Sequence, residues 1–134
     1  MSSASSASNR TPRFGWRESK RISPANLAEY IQLLEIACQN DPHSADLRTC
    51  LGIAQATNYD ICKSMESFQA AIGLDSGHFF ARFKYGELLF QLGSLAGAEE
   101  ETRKAIELAS RNWESSMARR QLQAIRNRLR EGIH

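Results

Sequence analysis

From Pro24 onward, apolar residues recur at helical spacing. Leu27, Ile31, Leu34 and Cys38 follow at intervals of 4, 3 and 4 residues, the stripe that one face of a helix presents. Ala37 lies on its shoulder. Ser23-Pro24 supplies an N-cap and first-turn pair, and Asp41-Pro42 closes the helix because proline disfavours helical geometry in the residue before it. Similar patterning predicts helices over about 45–57, 60–73, 79–92 and 95–109. Gly93-Ser94 reads as a C′ glycine followed by an N-cap, and Asn58, which tolerates a left-handed backbone, is expected to make the earlier turn. Residues 113–131 form a last helix, with Ala118, Leu122, Ile125 and Leu129 on one side and Arg119, Arg126 and Arg130 on the other. Before Pro24 the pattern is missing. Residues 1–12 hold no apolar side chain larger than Ala after Met1 and are expected to be disordered. Residues 13–23 mix basic groups with Phe14, Trp16 and Ile22, as a docking arm or as padding for the first helix would.

Sliding the chain against itself by 34 residues superposes Leu51-Gly52 on Tyr85-Gly86, and Ala71-Ile72 and Leu74 on Ala105-Ile106 and Leu108. Leu47, Ile61 and Ser64 fall on Ala81, Leu95 and Ala98. Each unit is two helices joined by a turn. On these residues, with Phe68, Leu89 and Gly93, the chain resembles the tetratricopeptide repeat family. Residues 24–42 resemble the second helix of a preceding repeat, with Tyr30, Leu34, Ala37 and Asp41-Pro42 in matching places. Residues 44–77 and 78–111 are the two full repeats, and 112–134 resemble the solvating helix that closes such arrays. The resemblance implies an all-α, right-handed helix–turn–helix solenoid of about six helices behind a basic arm, residues 1–23. Gly52, Gly86, Ser64, Ala71, Ala98 and Ala105 then sit where helices cross closely, and bulk there costs about 1–3 kcal/mol. Some positions depart from the family pattern. Arg48 and Arg82 stand where it has large apolar residues, and their stems are expected to lie along the apolar surface with the heads in water. Gln55 and Thr102 replace bulky apolar groups and are expected to weaken packing. Ser76 and Ser110 replace the usual closing proline.

The net charge of +2 hides a partition: residues 1–23 carry +4, residues 24–110 carry −6 and residues 111–134 carry +4. An acidic body between basic ends makes a poor nucleic-acid binder. The arginines of the last helix are better explained as a solvated cap favoured by the helix dipole, so no nucleic-acid partner is expected. No apolar run is long enough to span a membrane, residues 2–13 hold no secretory h-region, and three cysteines without a CxxC fit a reducing compartment. A cytoplasmic location is expected. His43, His78 and His134 form no ligand spacing with one another or with the cysteines, and no phosphate loop or nucleophile motif occurs. Neither a metal nor a cofactor is expected, and the chain reads as a non-enzyme.

The helix over 79–92 carries the candidate site. Phe80, Phe83, Glu87 and Phe90 share one stripe with Lys84 and Gln91 beside it, while Tyr85, Gly86 and Leu89 lie on another side. A helix apolar on two sides must cover two partners. The family resemblance makes the second partner a peptide in a concave groove that Thr49 and Ile53 also line. The alternative packs Phe80 and Phe83 under the last helix. Where some family members grip a C-terminal carboxylate, this chain has Thr49, Ile53, Lys84, Glu114 and Ala118. Only Lys84 suits that task, so an apolar ligand with a basic flank is expected instead. The expected function is a protein–protein interaction module, an adaptor anchoring apolar partner side chains on Phe80, Phe83 and Phe90, with Lys84 and Glu87 setting polarity. A small secretion-type chaperone for an unfolded client, or a self-associating protein forming a homodimer, uses the same fold.

Overall fold

A computed structural model describes residues 23–132; all but Ser23 of the arm read over residues 1–23, with the disorder expected of residues 1–12, and the end of the chain lie outside that range. The described residues form six helices: α1 Pro24–Asn40, α2 Ala45–Thr57, α3 Ile61–Leu74, α4 Phe79–Gln91, α5 Leu95–Leu108 and α6 Asn112–Gly132. Each packs mainly on its neighbours in sequence, and α2, α4 and α6 also meet one another in succession. The result is a helical stack without strands among the described residues.

Local chemistry repeats at the 34-residue period. Ser44 Oγ accepts the N–H of Leu47 at 3.1 Å to cap α2, and His78 Nδ1 accepts the N–H of Ala81 at 3.1 Å to cap α4. The two intra-repeat turns are also equivalent. Tyr59 N–H donates to the Ala56 carbonyl and Asp60 N–H to that of Gln55; Gly93 and Ser94 make the same pair of bonds to Phe90 and Leu89. Both are Schellman closures, which need a left-handed residue at C′. Gly93 supplies it with φ +82°, as its sequence position suggests. In the earlier turn the left-handed residue is Tyr59 (φ +62°), not Asn58. Asn58 keeps φ −88° and donates through Nδ2 to Asp60 Oδ2 at 3.0 Å. Ser94 holds the N-cap position of α5 without a side-chain bond.

The small residues let helices touch. A Cβ at Gly52 would lie 2.8 Å from the ring of Phe68, and one at Gly86 would lie 2.7 Å from Thr102 Oγ1. Residues 68 and 102 occupy the same repeat position, so one crossing is closed by an aromatic ring and the other by a hydroxyl. Ser64 Oγ donates to the Gly52 carbonyl at 2.7 Å across the first crossing. Four apolar clusters follow the stack. One joins α1 to α2 through Leu27, Ile31, Leu34, Cys38, Leu51 and Ala54. Ala45, Ala71 and Ala81 join the first repeat to the second. Phe79, Phe83, Ala105 and Ala118, then Leu89, Ala98 and Ile125, seat α6.

The replaced apolar positions are not weak points of the expected kind. Gln55 and Thr102 are buried, but Gln55 Oε1 accepts from Ser67 Oγ at 2.6 Å and Thr102 Oγ1 from Gln121 Nε2 at 2.9 Å. Such partners offset the cost of burying a polar group. The head of Arg82 does not extend freely into water: it donates to Glu101 Oε1 at 2.9 Å, with both side chains largely buried, and to the Ser76 carbonyl. Arg48 has no equivalent carboxylate, because its repeat counterpart is Ser67, and its buried Nε lacks a partner.

Candidate functional site

Helices α2, α4 and α6 line a trough made of two adjoining clefts. The α2/α4 cleft, about 310 Å³, is bounded by Ile53, Ala56, Thr57, Lys84, Leu88 and the turn residue Tyr59. The α4/α6 cleft, about 450 Å³, is bounded by Phe83, Phe90, Met117, Arg120, Gln121 and Ala124. Glu87 and Gln91 border both, so the clefts adjoin across α4.

Side chains along the trough are held by neighbours. Lys84 Nζ meets Glu87 Oε1 at 3.1 Å and lies 5.9 Å from the Phe83 ring centre. Gln121 Nε2 donates both to Thr102 Oγ1 and to the Phe83 carbonyl at 3.2 Å, tying α6 to α4 and α5. The guanidinium of Arg128 stands 5.3 Å over the Phe90 ring. Arg120 makes no ion pair with a described residue, whereas Glu87 is already paired. The free charge beside the α4/α6 cleft is therefore positive. That reverses the polarity expected from the overall acidity of residues 24–110.

The candidate residues separate. Ile53, Lys84 and Glu87 line the α2/α4 cleft, and Phe83, Glu87 and Phe90 the α4/α6 cleft. Thr49 does not belong to the trough: it is buried, and its hydroxyl donates to the Ala45 carbonyl at 2.8 Å. Phe80 borders neither cleft and packs on Phe79 and Trp113, at 5.3 and 5.9 Å between ring centres. Phe83 is 6% exposed and stacked on Phe79. The aromatic stripe thus serves chiefly to seat α6, and only Phe90 of the three is a half-exposed wall residue. Polar Gln91, which stands beside the stripe, and Gln121 and Arg120, which the stripe did not reveal, supply much of the surface. Projecting the period finds Gln121 and Ala124: Ile53, Glu87 and Gln121 are successive 34-residue equivalents, as are Ala56, Phe90 and Ala124.

The carboxylate-gripping arrangement is absent in detail. Ala118 is buried, and Glu114 turns back to cap α6. Its Oε1 accepts from the N–H groups of Ser110 and Arg111 at 2.9 and 3.2 Å. The Ser110 N–H above all, joined by that of Arg111, holds the Glu114 carboxyl below its ordinary range. Burial above all pushes the thiols of Cys38 and Cys50 up from their ordinary range. Among the described residues no group of three or more His, Cys, Asp or Glu could hold a metal, and no helix is long and apolar enough to cross a membrane.

Solved structures share this architecture. The secretion chaperone SycD of Yersinia enterocolitica, in complex with a peptide of the translocator YopD, is 21% identical over 86% of this chain and 87% of its own, with a TM-score of 0.71. The first tetratricopeptide domain of human RPAP3 is 20% identical over 91% of both chains, with a TM-score of 0.73. The fold is tetratricopeptide-like. The Sgt2 tetratricopeptide domain of Aspergillus fumigatus agrees, at 18% identity over 95% of this chain and 81% of its own and a TM-score of 0.76. No protein-family model and no curated protein sequence matches the chain.

Proposed function

We propose that this chain is a non-catalytic protein–protein interaction module that holds a segment of a partner protein in the α2/α4/α6 trough. Residues 44–77 and 78–111 are its repeats, between a half repeat at 24–42 and a capping helix at 112–134. The observation that carries the reading is the adjacency of the two clefts, which share Glu87 and Gln91 of α4 as a common border. An extended or helical segment lying across the three helices can contact both clefts. Phe90, Met117 and Ala124 favour an apolar anchor in the α4/α6 cleft, and unpaired Arg120 favours an acidic neighbour to that anchor. The peptide held by SycD supports use of this fold for such a segment. Three free cysteines support a reducing, cytoplasmic location.

Filling the trough tests the proposal. Gln91 and Ala124 are exposed and line it, whereas Arg103 is exposed on α5 outside it. Gln91→Trp and Ala124→Trp are expected to abolish capture of partners from native lysate, with Arg103→Trp capturing as wild type does. Partner lists unchanged by both fillings would refute the trough as the binding surface. The secretion-type chaperone reading shares the site and is separated by its client, which should lose solubility when the chain carries Ala124→Trp.

A further inference from the structure

We propose that residues 13–22 of this chain dock along the outer face of α1. This inference is independent of the trough. α1 is apolar on two sides: Leu27, Ile31, Leu34 and Cys38 are buried, largely against α2, whereas Tyr30, Leu33 and Ile36 are 46%, 61% and 53% exposed. With about 3.6 residues per turn, these three fall within roughly 120° of the helix circumference. Among the described helices α1 touches only α2, so the stack itself leaves that face uncovered.

Three observations identify the occupant. The first is reach. Ser23 caps α1 at the foot of this face, where the described residues begin. From Pro24 to Ile36 the helix rises about 18 Å at ~1.5 Å per residue. The seven steps from Ser23 back to Trp16 span up to about 23 Å when extended. Trp16 and Phe14 therefore reach Leu33 and Ile36 directly. The second is composition: Phe14, Trp16 and Ile22 are the large apolar residues of positions 2–22. The third is charge. α1 carries Glu29 and Glu35 with no Lys or Arg, while residues 13–22 carry Arg13, Arg17, Lys20 and Arg21 against Glu18. A second copy of α1 on the same face would oppose two acidic helices at the roughly 8–10 Å of a helix pair, which like charges disfavour. The tethered basic segment meets the acidic helix with opposite sign and at the high local concentration of a short link.

The full chain with Trp113→Phe makes Trp16 the sole tryptophan. Its emission is expected to be blue-shifted from free tryptophan and shielded from acrylamide, in a monomer by sedimentation. Leu33→Lys with Ile36→Lys should shift the emission to the red and raise quenching while the helical circular dichroism is retained. Arg17→Glu with Arg21→Glu, outside the described helices, should release Trp16 as well, so the test survives if the α1 variant fails to fold. A fully exposed Trp16 in the parent would overturn the proposal, as would shielding that neither variant changes. Shielding lost on Ala124→Arg would place the segment in the trough and overturn it too. A dimer that Leu33→Lys with Ile36→Lys dissociates would make a second copy the occupant.

Discussion

Gly86→Ala adds one methyl group where α4 crosses α5. That methyl would lie 2.7 Å from Thr102 Oγ1, 3.2 Å from Gln121 Nε2 and 3.4 Å from the Ala98 carbonyl oxygen. None of these neighbours can swing into solvent, since Thr102 is fully buried, Gln121 is anchored twice and Ala98 O is backbone. Overpacking of this kind costs about 1–3 kcal/mol. Displacing the Thr102 hydroxyl also disturbs its bond from Gln121, a further loss of about 1 kcal/mol. Against this, alanine is favoured over glycine inside a helix by about 1 kcal/mol. The sum is a destabilisation of about 1–3 kcal/mol, or a fall in Tm of roughly 4–13 °C for a domain of this size. Thermal and urea unfolding followed by circular dichroism measure it. Gly73→Ala in α3 is the matched control, because a methyl there meets nothing within 4 Å. It should leave stability unchanged or raise it by about 0.4–1 kcal/mol. A Gly86→Ala protein as stable as wild type would refute the close crossing and, with it, the packing logic of the repeat.

Other substitutions probe separate features. His78 caps α4 through Nδ1, and its Nε2 meets Asp46 Oδ1 at 2.5 Å. His78→Ala should cost about 1–2 kcal/mol in urea unfolding and His78→Asn, which can still cap, distinctly less; equal losses would remove the cap from the explanation. Glu114 has a folded-state pKa below its unfolded one, so its stabilising effect is complete above about pH 4.3 and is lost as pH falls from there through the lowered value. Wild type should therefore exceed Glu114→Gln in Tm at neutral pH and converge with it in acid, whereas a gap constant across pH would contradict the capping role. Tyr59 is 86% exposed with φ +62°, a conformation that costs a side chain roughly 1 kcal/mol. Tyr59→Gly should stabilise the chain by up to about that amount, and a lower urea midpoint would show that the Tyr59 ring contributes packing that its exposure hides.

The helices were legible because their stripes are amphipathic and their ends carry proline, glycine or a capping side chain. Leu27, Ile31, Leu34 and Cys38 point to one buried face of α1, and they are the residues buried there. The 34-residue period likewise located Gly52 and Gly86 at the crossings. Sequence reasoning failed where a side chain chooses between two acceptable neighbours. Nothing in the spacing of Phe80 and Phe83 says whether an aromatic stripe faces a ligand or the next helix, and α6 takes most of it. Polar residues at apolar positions misled for another reason. The partners of Gln55, Thr102 and Arg82 lie 12 to 19 residues away, on the following helix. The cap that His78 supplies is not legible in the sequence because its bond depends on backbone placement, which residue type alone does not reveal.

The unequal fates of Arg82 and Arg48 set a direction along the stack. In a quasi-linear array each helix pair is held by its own contacts and those of its neighbours, so local openings begin where the coupling is poorest. The α4–α6 end has a guanidinium satisfied by Glu101 and a long capping helix with Ile125 wholly enclosed. At the α1–α3 end the buried Nε of Arg48 is left without an acceptor, and opening lets water solvate it. Amide hydrogens of α2 and α3 should accordingly exchange through partial opening, and those of α4 and α5 only through global unfolding. The molecule then breathes from its N-terminal side while the α4/α6 cleft stays assembled.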